Sequence, residues 1–438
     1  MTYTETIQYL FNQMPMFERN GASDYKEGLA NTHTLDEHFG HPHQNFATIH
    51  IAGTNGKGSC SHMIAAVLQE CGYRVGLYTS PHLVDFRERI RINGTPISEA
   101  YVVDFVDNER KFFEPLHPSF FEVTTAMAFK YFSDMKVDIA VIEVGLGGRL
   151  DCTNVITPLI SVITNISLDH TQLLGNTLAE IAGEKGGIIK HGVPVIIGEN
   201  NEETRPVFEA KAKEVGAPIF FAEDNQQITG IEKECEDGTV YSTVMLPSLK
   251  CELRGNYQKK NLNTVLCTLS KLADQGFLAP FICDGDNAEG ANELREALLH
   301  VCSLTGLMGR WQLVKHSPTV ICDTGHNVGG WTYLSEQIQN TKARQRHIVF
   351  GMVGDKDVEG VIKLLPKSAI YYFTKPSNKR AMDEHQLMDL ASRYGITGNS
   401  YSTVKEAYTE AYRAATHDDF IFVGGSSYIV ADFLKTCV

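Results

Sequence analysis

The 438-residue sequence has no apolar run approaching the roughly 20 residues that cross a bilayer. Its opening, MTYTETIQYLFNQMPMF, lacks a basic start followed by a long apolar stretch, so no secretory signal is expected. Basic residues are in deficit, 39 against 53 acidic, for a formal net charge of −14. That balance argues against nucleic acid or an anionic membrane as the main partner, since both reward clustered Lys and Arg. It leaves an anionic small substrate open, because such a substrate answers to local charge. The ten cysteines are scattered, with no C-x-x-C pair and no metal-like cluster. Reduced thiols in a cytoplasm are expected. Repeats and low-complexity segments are also missing.

What is present is an ordinary globular composition, 43% hydrophobic and 21% charged, long enough for two or three domains. Apolar β-rich runs at 46–54, 73–80, 137–145, 159–166, 194–199 and 218–223 alternate with helical patterns at 57–71, 98–114, 119–134 and 177–190. Continuous apolar strands separated by helices predict a doubly wound, mostly parallel α/β sheet. Residues 228–254 alternate around the turn EDGT and read as a hairpin excursion, followed by a helix over 256–273. From about residue 309 a second α/β series begins, carried by PTVICDTG, RHIVFGMV, AIYYFTK and DFIFVGGS. The expected division is a P-loop domain over 1–300 and a smaller Rossmann-like domain over 301–438. Two such domains commonly bind a ligand in the crevice between them.

The stretch IHIAGTNGKGSCSH (49–62) lies between a strand and a helix, the setting of a phosphate-binding loop. It departs from the usual spacing, with Ile51 where the first glycine should be and Gly58 where the hydroxyl should be. Gly53, Gly56 and Gly58 permit close backbone approach, and Lys57 offers a point charge. A glycine-rich turn with a solvated lysine is the competing reading.

The heptad GTNGKGS resembles the folylpolyglutamate synthase and dihydrofolate synthase family, relatives of the Mur peptide ligases. The resemblance continues in family order through LYTSPHLVDFRERIRING (77–94), VIEVGLGGRLDCTN (141–154), SLDHTQLLG (167–175), EKGGIIK (184–190), GNYQKKN (255–261), GRWQ (309–312), DTGHN (323–327) and GMVGDKD (351–357). It implies that Thr54, Asn55, Gly56, Lys57, Gly58 and Ser59 cradle ATP. Asn261 would hydrogen-bond adenine, with Arg310, Asp323 and His326 completing the nucleotide site. Ser80, Glu143 and His170 would be metal ligands, holding Mg²⁺ at two positions. Lys185 would be carbamylated, its carboxylate serving the metal site. Lys57, Glu143, His170 and Lys185 are thus the implied catalytic set. SFFE (119–122) and LDC (150–152) resemble pterin-contacting positions, giving Phe121, Glu122, Leu150, Asp151 and Cys152, with Phe120 as an alternative stacking ring. DYKEGL (24–29) sits where some relatives have another pterin segment. The motif DGAHN-P appears here as DTGHNV, and Gly186 stands where the family usually has alanine.

In RERIR, an extended backbone would put Arg87, Arg89 and Arg91 on one face, a local basic patch on an acidic protein. Arg89 is the expected substrate contact. The resemblance implies an ATP- and Mg²⁺-dependent monomeric ligase joining L-glutamate to dihydropteroate or a reduced folate through an acyl phosphate. A Mur-type peptide ligase is the alternative within the class, disfavoured by the TSPH segment and by only about 45 residues before the loop. A non-catalytic nucleotide switch is the alternative outside it, and it would have no use for a metal site.

Overall fold

The apolar run at the loop's approach forms β1 (Ala47–Ala52), which is buried on both faces and pairs in parallel with β5 (Ile139–Glu143) and β6 (Ile160–Ile163). Ile49 and Ile51 pack with Met63 and Ile64 of the following helix, while His50 points the other way to Thr153. The computed structural model describes residues 1–16, 28–279 and 290–438. Residues 24–27 of DYKEGL therefore lie outside the described residues.

The first sheet has eight strands. Its members besides those named are β2 (Val75–Tyr78), β3 (Ile90–Ile92), β4 (Thr95–Pro96), β7 (Val195–Ile197) and β8 (Ile219–Phe221), in the order β4-β3-β2-β5-β1-β6-β7-β8. All pairings are parallel except those of β3 with β2 and β4. The helix Lys57–Glu70 is buried almost all round, which is why its sequence shows no polar stripe: Cys60 to Leu68 are enclosed by the sheet and by helices Gln258–Asp274, Ala291–Leu299 and Val301–Thr305. The expected hairpin is a three-stranded antiparallel sheet of β9 (Ile228–Cys235), β10 (Gly238–Thr243) and β11 (Leu249–Cys251).

The second sheet runs β12-β13-β17-β14-β15-β16, from β12 (Gln312–His316), β13 (Thr319–Asp323), β14 (Arg346–Phe350), β15 (Ile370–Phe373), β16 (Gly398–Ser400) and β17 (Phe420–Gly424). It is parallel apart from edge strand β12. The fold is thus the expected pair of α/β sheets. Val301 and Leu307 pack in the core beneath the first sheet, so that core extends slightly beyond residue 300. No helix among the described residues is long and apolar enough to cross a membrane.

One expectation fails locally. Residues Phe86–Arg89 form a single 3₁₀ turn rather than an extended strand. Asp85 caps the turn, and the Glu88 carboxylate accepts from the backbone N–H groups of Leu83, Val84 and Asp85. The turn sends the three arginines apart. Arg87 pairs with Asp85, Arg89 is wholly buried against the Phe120 ring and donates to His82, and Arg91 donates to the carbonyls of Glu88 and Gly94.

Candidate active site

In a parallel sheet, ligands gather beyond the carboxyl ends of the strands, at points where the connections diverge. β1 is such a point, because the chain leaves it toward β2 on one side and β6 lies on the other. The carboxyl ends of the two sheets face a common cleft. From the first come Lys57, Ser80, Glu143, Asp169 and His170; from the second unit come Arg310, Thr324, His326, Lys356 and Ser426–Tyr428.

The loop after β1 owes its shape to two glycines at positive φ, Gly53 (144°) and Gly56 (85°). A Cβ would meet Thr164 Oγ1 at 1.9 Å in the first case and Asn261 Oδ1 at 2.4 Å in the second. Lys57 Nζ folds back to donate to the carbonyls of Gly53 (3.0 Å) and Thr54 (3.2 Å). Burial lowers its pKa, an effect opposed by the negative charges of Glu143 and Asp169. A Cβ on Gly58 would stand 3.2 Å from Arg310 Nη2 and 4.0 Å from Glu143 Oε2, so three charged groups meet at this helix start. Thr54 is tied to Ser167 and Asn55 to Asn165 and Asn327. Ser59 is buried and accepts from Gln258 Nε2, turned away from the cleft.

Glu143 ends β5 with 3% exposure and accepts from the Ser80 N–H at 3.4 Å. Burial pushes its pKa up to about 7, against the opposing pull of Lys57 and Arg310. A carboxyl raised on folding favours the folded state fully below the unfolded value of about 4.3, and that contribution is lost as pH rises through about 7. Glu143→Gln is therefore expected to melt above the wild type near pH 8, with the gap closing toward pH 5. Identical melting curves at pH 8 would contradict it.

Asp169 is the meeting point of the two sheets' loops. Its Oδ1 is paired with Lys356 Nζ, and its Oδ2 receives His326 Nε2 (3.1 Å) and Asn327 Nδ2 (3.0 Å). Burial alone would raise its pKa, but the His326 hydrogen bond and the Lys356 charge hold it well below the usual range. His170 takes a left-handed backbone (φ 51°) and its Nε2 lies 3.2 Å from Lys356 Nζ. Burial and that neighbouring cation keep its imidazole neutral. Among the described residues, no three His, Cys, Asp or Glu side chains are arranged to hold a metal ion.

Lys185 lies on helix Leu178–Gly186, where Gly148 packs against its backbone closely enough that a Cβ would reach the Lys185 carbonyl at 2.9 Å. It is 5% exposed, and its side-chain amine makes no hydrogen bond or ion pair among the described residues. Burial, reinforced by Lys57, brings its pKa down to about 7.

The far wall of the cleft holds Phe120, Phe121, Leu150, Asp151 and Cys152. The Phe121 ring lies flush on Gly145, where a Cβ would fall 2.4 Å from it. Asp151 caps a short turn, accepting from Thr153 N (3.0 Å) and Leu146 N (2.8 Å). Glu122 closes the capping box with Ser119 and does not line the cleft, nor does Arg89 behind Phe120. Asn261 lies under Gly56 and donates to Gln258. Asp323 accepts from Tyr257 OH (2.6 Å), Trp311 N (2.7 Å) and Gly325 N (2.8 Å), so its carboxylate is taken up in joining the two units.

Three cleft participants were not singled out from the sequence. Asp169, Lys356 and Asn327 all lie inside matched motifs, but their relevance comes from meeting one another, which no local pattern announces.

The Mur ligase middle domain model matches residues 51–269, and the Mur ligase glutamate ligase domain model matches 309–427. The dihydrofolate synthase/folylpolyglutamate synthase of Bacillus subtilis is 34% identical over 427 residues, 94% of this chain and 95% of that protein. The chain belongs to the folylpolyglutamate synthase/dihydrofolate synthase family. As a member of this Mur-type family it is an ATP-dependent acid–amino-acid ligase. An Escherichia coli FolC structure in complex with DHPP and ADP aligns with TM-score 0.81 at 27% identity, covering 99% of this chain and 97% of that one. A Yersinia pestis folylpolyglutamate synthase/dihydrofolate synthase complexed with AMPPNP and a Mn ion aligns at 0.80 and 26%, covering 99% and 98%. The two family segments fall on the two sheets.

Proposed function

We propose that this family member joins L-glutamate to a pterin-linked carboxylate at the expense of ATP, in the cleft between the sheets. The observation that carries the reading is the meeting of Lys57 and Arg310 at the loop after β1, opposite a wall of Phe121, Leu150, Asp151 and Cys152. Cations gather where phosphates would lie, and an aromatic face with a carboxylate beside it suits a flat, N–H-rich ring. The DHPP and ADP held by the E. coli relative support both halves.

The substrate carboxylate attacks the γ-phosphorus, the bond to the β-phosphate oxygen breaks, and an acyl phosphate and ADP result. The amine of glutamate then attacks the acyl carbon, phosphate leaves, and the amine's proton is lost. Phosphoryl transfer is chiefly positioning and charge neutralisation. Lys57 supplies charge from one side and Arg310 from the other, and the first-turn amides of Lys57, Gly58 and Ser59 would meet the anion, whereas those of Thr54 and Asn55 are taken up by Asn165. We assign Asn261, beneath Gly56, to adenine. Asp323, already bonded to Tyr257 and Trp311, sets the angle at which Arg310 enters, and His326 borders the same space through Asp169.

Glu143 is a buried carboxylate at the cleft, its pKa raised by burial, which fits a hard cation; with Ser80 it would hold Mg²⁺. When bound, the metal would neutralise charge developing on the phosphates. His170, kept neutral, suits a second, looser position. Lys185 has the neutral amine that carbon dioxide requires, and its carbamate would place a negative charge among Lys57, Lys356 and the metal. We assign the ATP-binding role to residues 1–300, with the boundary a few residues later where Val301 and Leu307 end the first core, and the closing role to the remainder up to residue 438. Both walls come from one chain, so the proposal is for a monomer.

The test is ADP release with glutamate and each pterin offered separately, dihydropteroate and tetrahydrofolate. Release is expected only when ATP, a pterin and glutamate are all present. Glutamate-independent release at the same rate would overturn the reading.

A further inference from the structure

The Asn327 side chain is 3% exposed, and all of its hydrogen-bonding capacity is used. Its Oδ1 accepts from the backbone N–H of Gly330 (2.9 Å), capping helix Val328–Asn340, and from Asn55 Nδ2 (3.2 Å). Its Nδ2 donates to Asn55 Oδ1 (3.0 Å) and to Asp169 Oδ2 (3.0 Å). The outer partners settle which way the amide points. A backbone N–H can only donate and an ionised carboxylate can only accept, so a flipped Asn327 would oppose like to like at both ends.

That orientation passes to Asn55. Its amide matches Asn327 in a reciprocal pair, and its second Nδ2 hydrogen goes to Ser167 Oγ (3.2 Å). Asn55 is itself part of the loop after β1: its N–H donates to Asn165 Oδ1 (2.8 Å) and its carbonyl accepts from Thr164 Oγ1 (2.5 Å). The approach of the two units here is close. A Cβ on Gly329 would lie 2.8 Å from Ser167 Oγ and 3.3 Å from Asn55 Nδ2. Asp169 in turn is bound by Lys356 and His326, so three groups of the second unit converge on one carboxylate of the first.

We propose that Asn327 is a positioning residue that couples the shape of the phosphate loop to the docking of the second unit. Through Asn55 it reads the loop; through Asp169 it holds the second unit down; through its side-chain oxygen it caps the helix that follows His326. Loop order and placement of Arg310 and His326 over the cleft are then one equilibrium. The reaction this serves is the ligase reading above, on which the inference rests, but the coupling itself is measurable without turnover.

The competing role for Asn327 is a helix cap alone. Asn327→Ser separates the two, because serine caps as well as asparagine yet is too short to span to both Asn55 and Asp169. Asn327→Ser is expected to melt within a few degrees of the wild type. Its kcat should fall about tenfold or more while KM for ATP changes less than about threefold. Asn55→Ala combined with Asn327→Ser should be no slower than the slower single variant, since the two remove one interaction. Hydrogen exchange at the amides of residues 53–58 in the ligand-free protein should also rise about tenfold in Asn327→Ser. A kcat within twofold of the wild type, or single effects that multiply in the double variant, overturns the proposal. If the wild type shows no glutamate-dependent ADP release, the ligase reading has failed, and unchanged loop exchange in Asn327→Ser then overturns the coupling independently.

Discussion

Lys57→Ala is expected to lower kcat by about 10³-fold or more, about 4 kcal/mol of transition-state stabilisation, a loss of the order seen when one preorganised charge donor is removed. Among the described residues Lys57 Nζ hydrogen-bonds only two loop carbonyls, those of Gly53 and Thr54, and both border the cleft where water can replace the ammonium. The residue also lies among other cations, Arg310 and Lys356, each of which lowers its pKa. Burial is the largest cost to its ammonium, and losing that cost and this repulsion offsets losing the attraction of Glu143 and Asp169, so the melting temperature should move by only a few degrees. Steady-state kinetics and a thermal melt on one preparation decide the matter. Activity within a few-fold of the wild type would sink the phosphate-loop assignment, and unfolding would leave Lys57 a structural residue.

The second large effect is expected at Lys185. Its amine is enclosed, unpaired among the described residues and half neutral at about pH 7. Carbamylation joins the neutral amine to carbon dioxide through a new N–C bond and releases a proton. Native mass spectrometry at neutral pH should show the added mass of one carbon dioxide, which acid treatment removes. Lys185→Ala is expected to lose about 10²-fold or more in kcat and to recover in part with added acetate or formate.

Stability should move the other way. Between about 7 and the ordinary lysine value of about 10.4, the unfolded chain binds more protons than the folded one, so stability rises with pH across that window. The cost of burying the ammonium is greatest below pH 7. In bicarbonate-free buffer, Lys185→Met should therefore melt above the wild type at pH 6 to 7, with the advantage shrinking toward pH 10. A Lys185→Met variant less stable than the wild type at every pH, together with an unmodified native mass, would remove the assignment.

Much of the scaffold was legible because its elements are local. Strands β1, β5 and β6 read as apolar runs since parallel strands are covered on both faces, and the helix Phe120–Asp134 is expected over 119–134 from its own pattern. Edge strands β12 and β16, half-exposed and short, gave no such run. The arginines of RERIR misled for a definite reason. A period-two pattern assumes extended backbone, whereas Glu88 collects three N–H groups and curls the segment into a turn.

Residues 46–71 alone call for a glycine-bounded lysine loop between a buried strand and a buried helix, and the apolar runs after residue 309 call for a second α/β unit. Those are consequences of φ, ψ and apolar periodicity over a few residues. Only the tertiary structure decided that Asp169 would meet Lys356, 187 residues away, and that Asn327 would pair with Asn55 across 272. It also decided that Lys185, an unremarkable helix lysine in sequence, would be buried at the cleft with a shifted pKa. Such properties depend on which strand ends converge and on how much water is excluded there, and neither quantity is carried by any short stretch of chain.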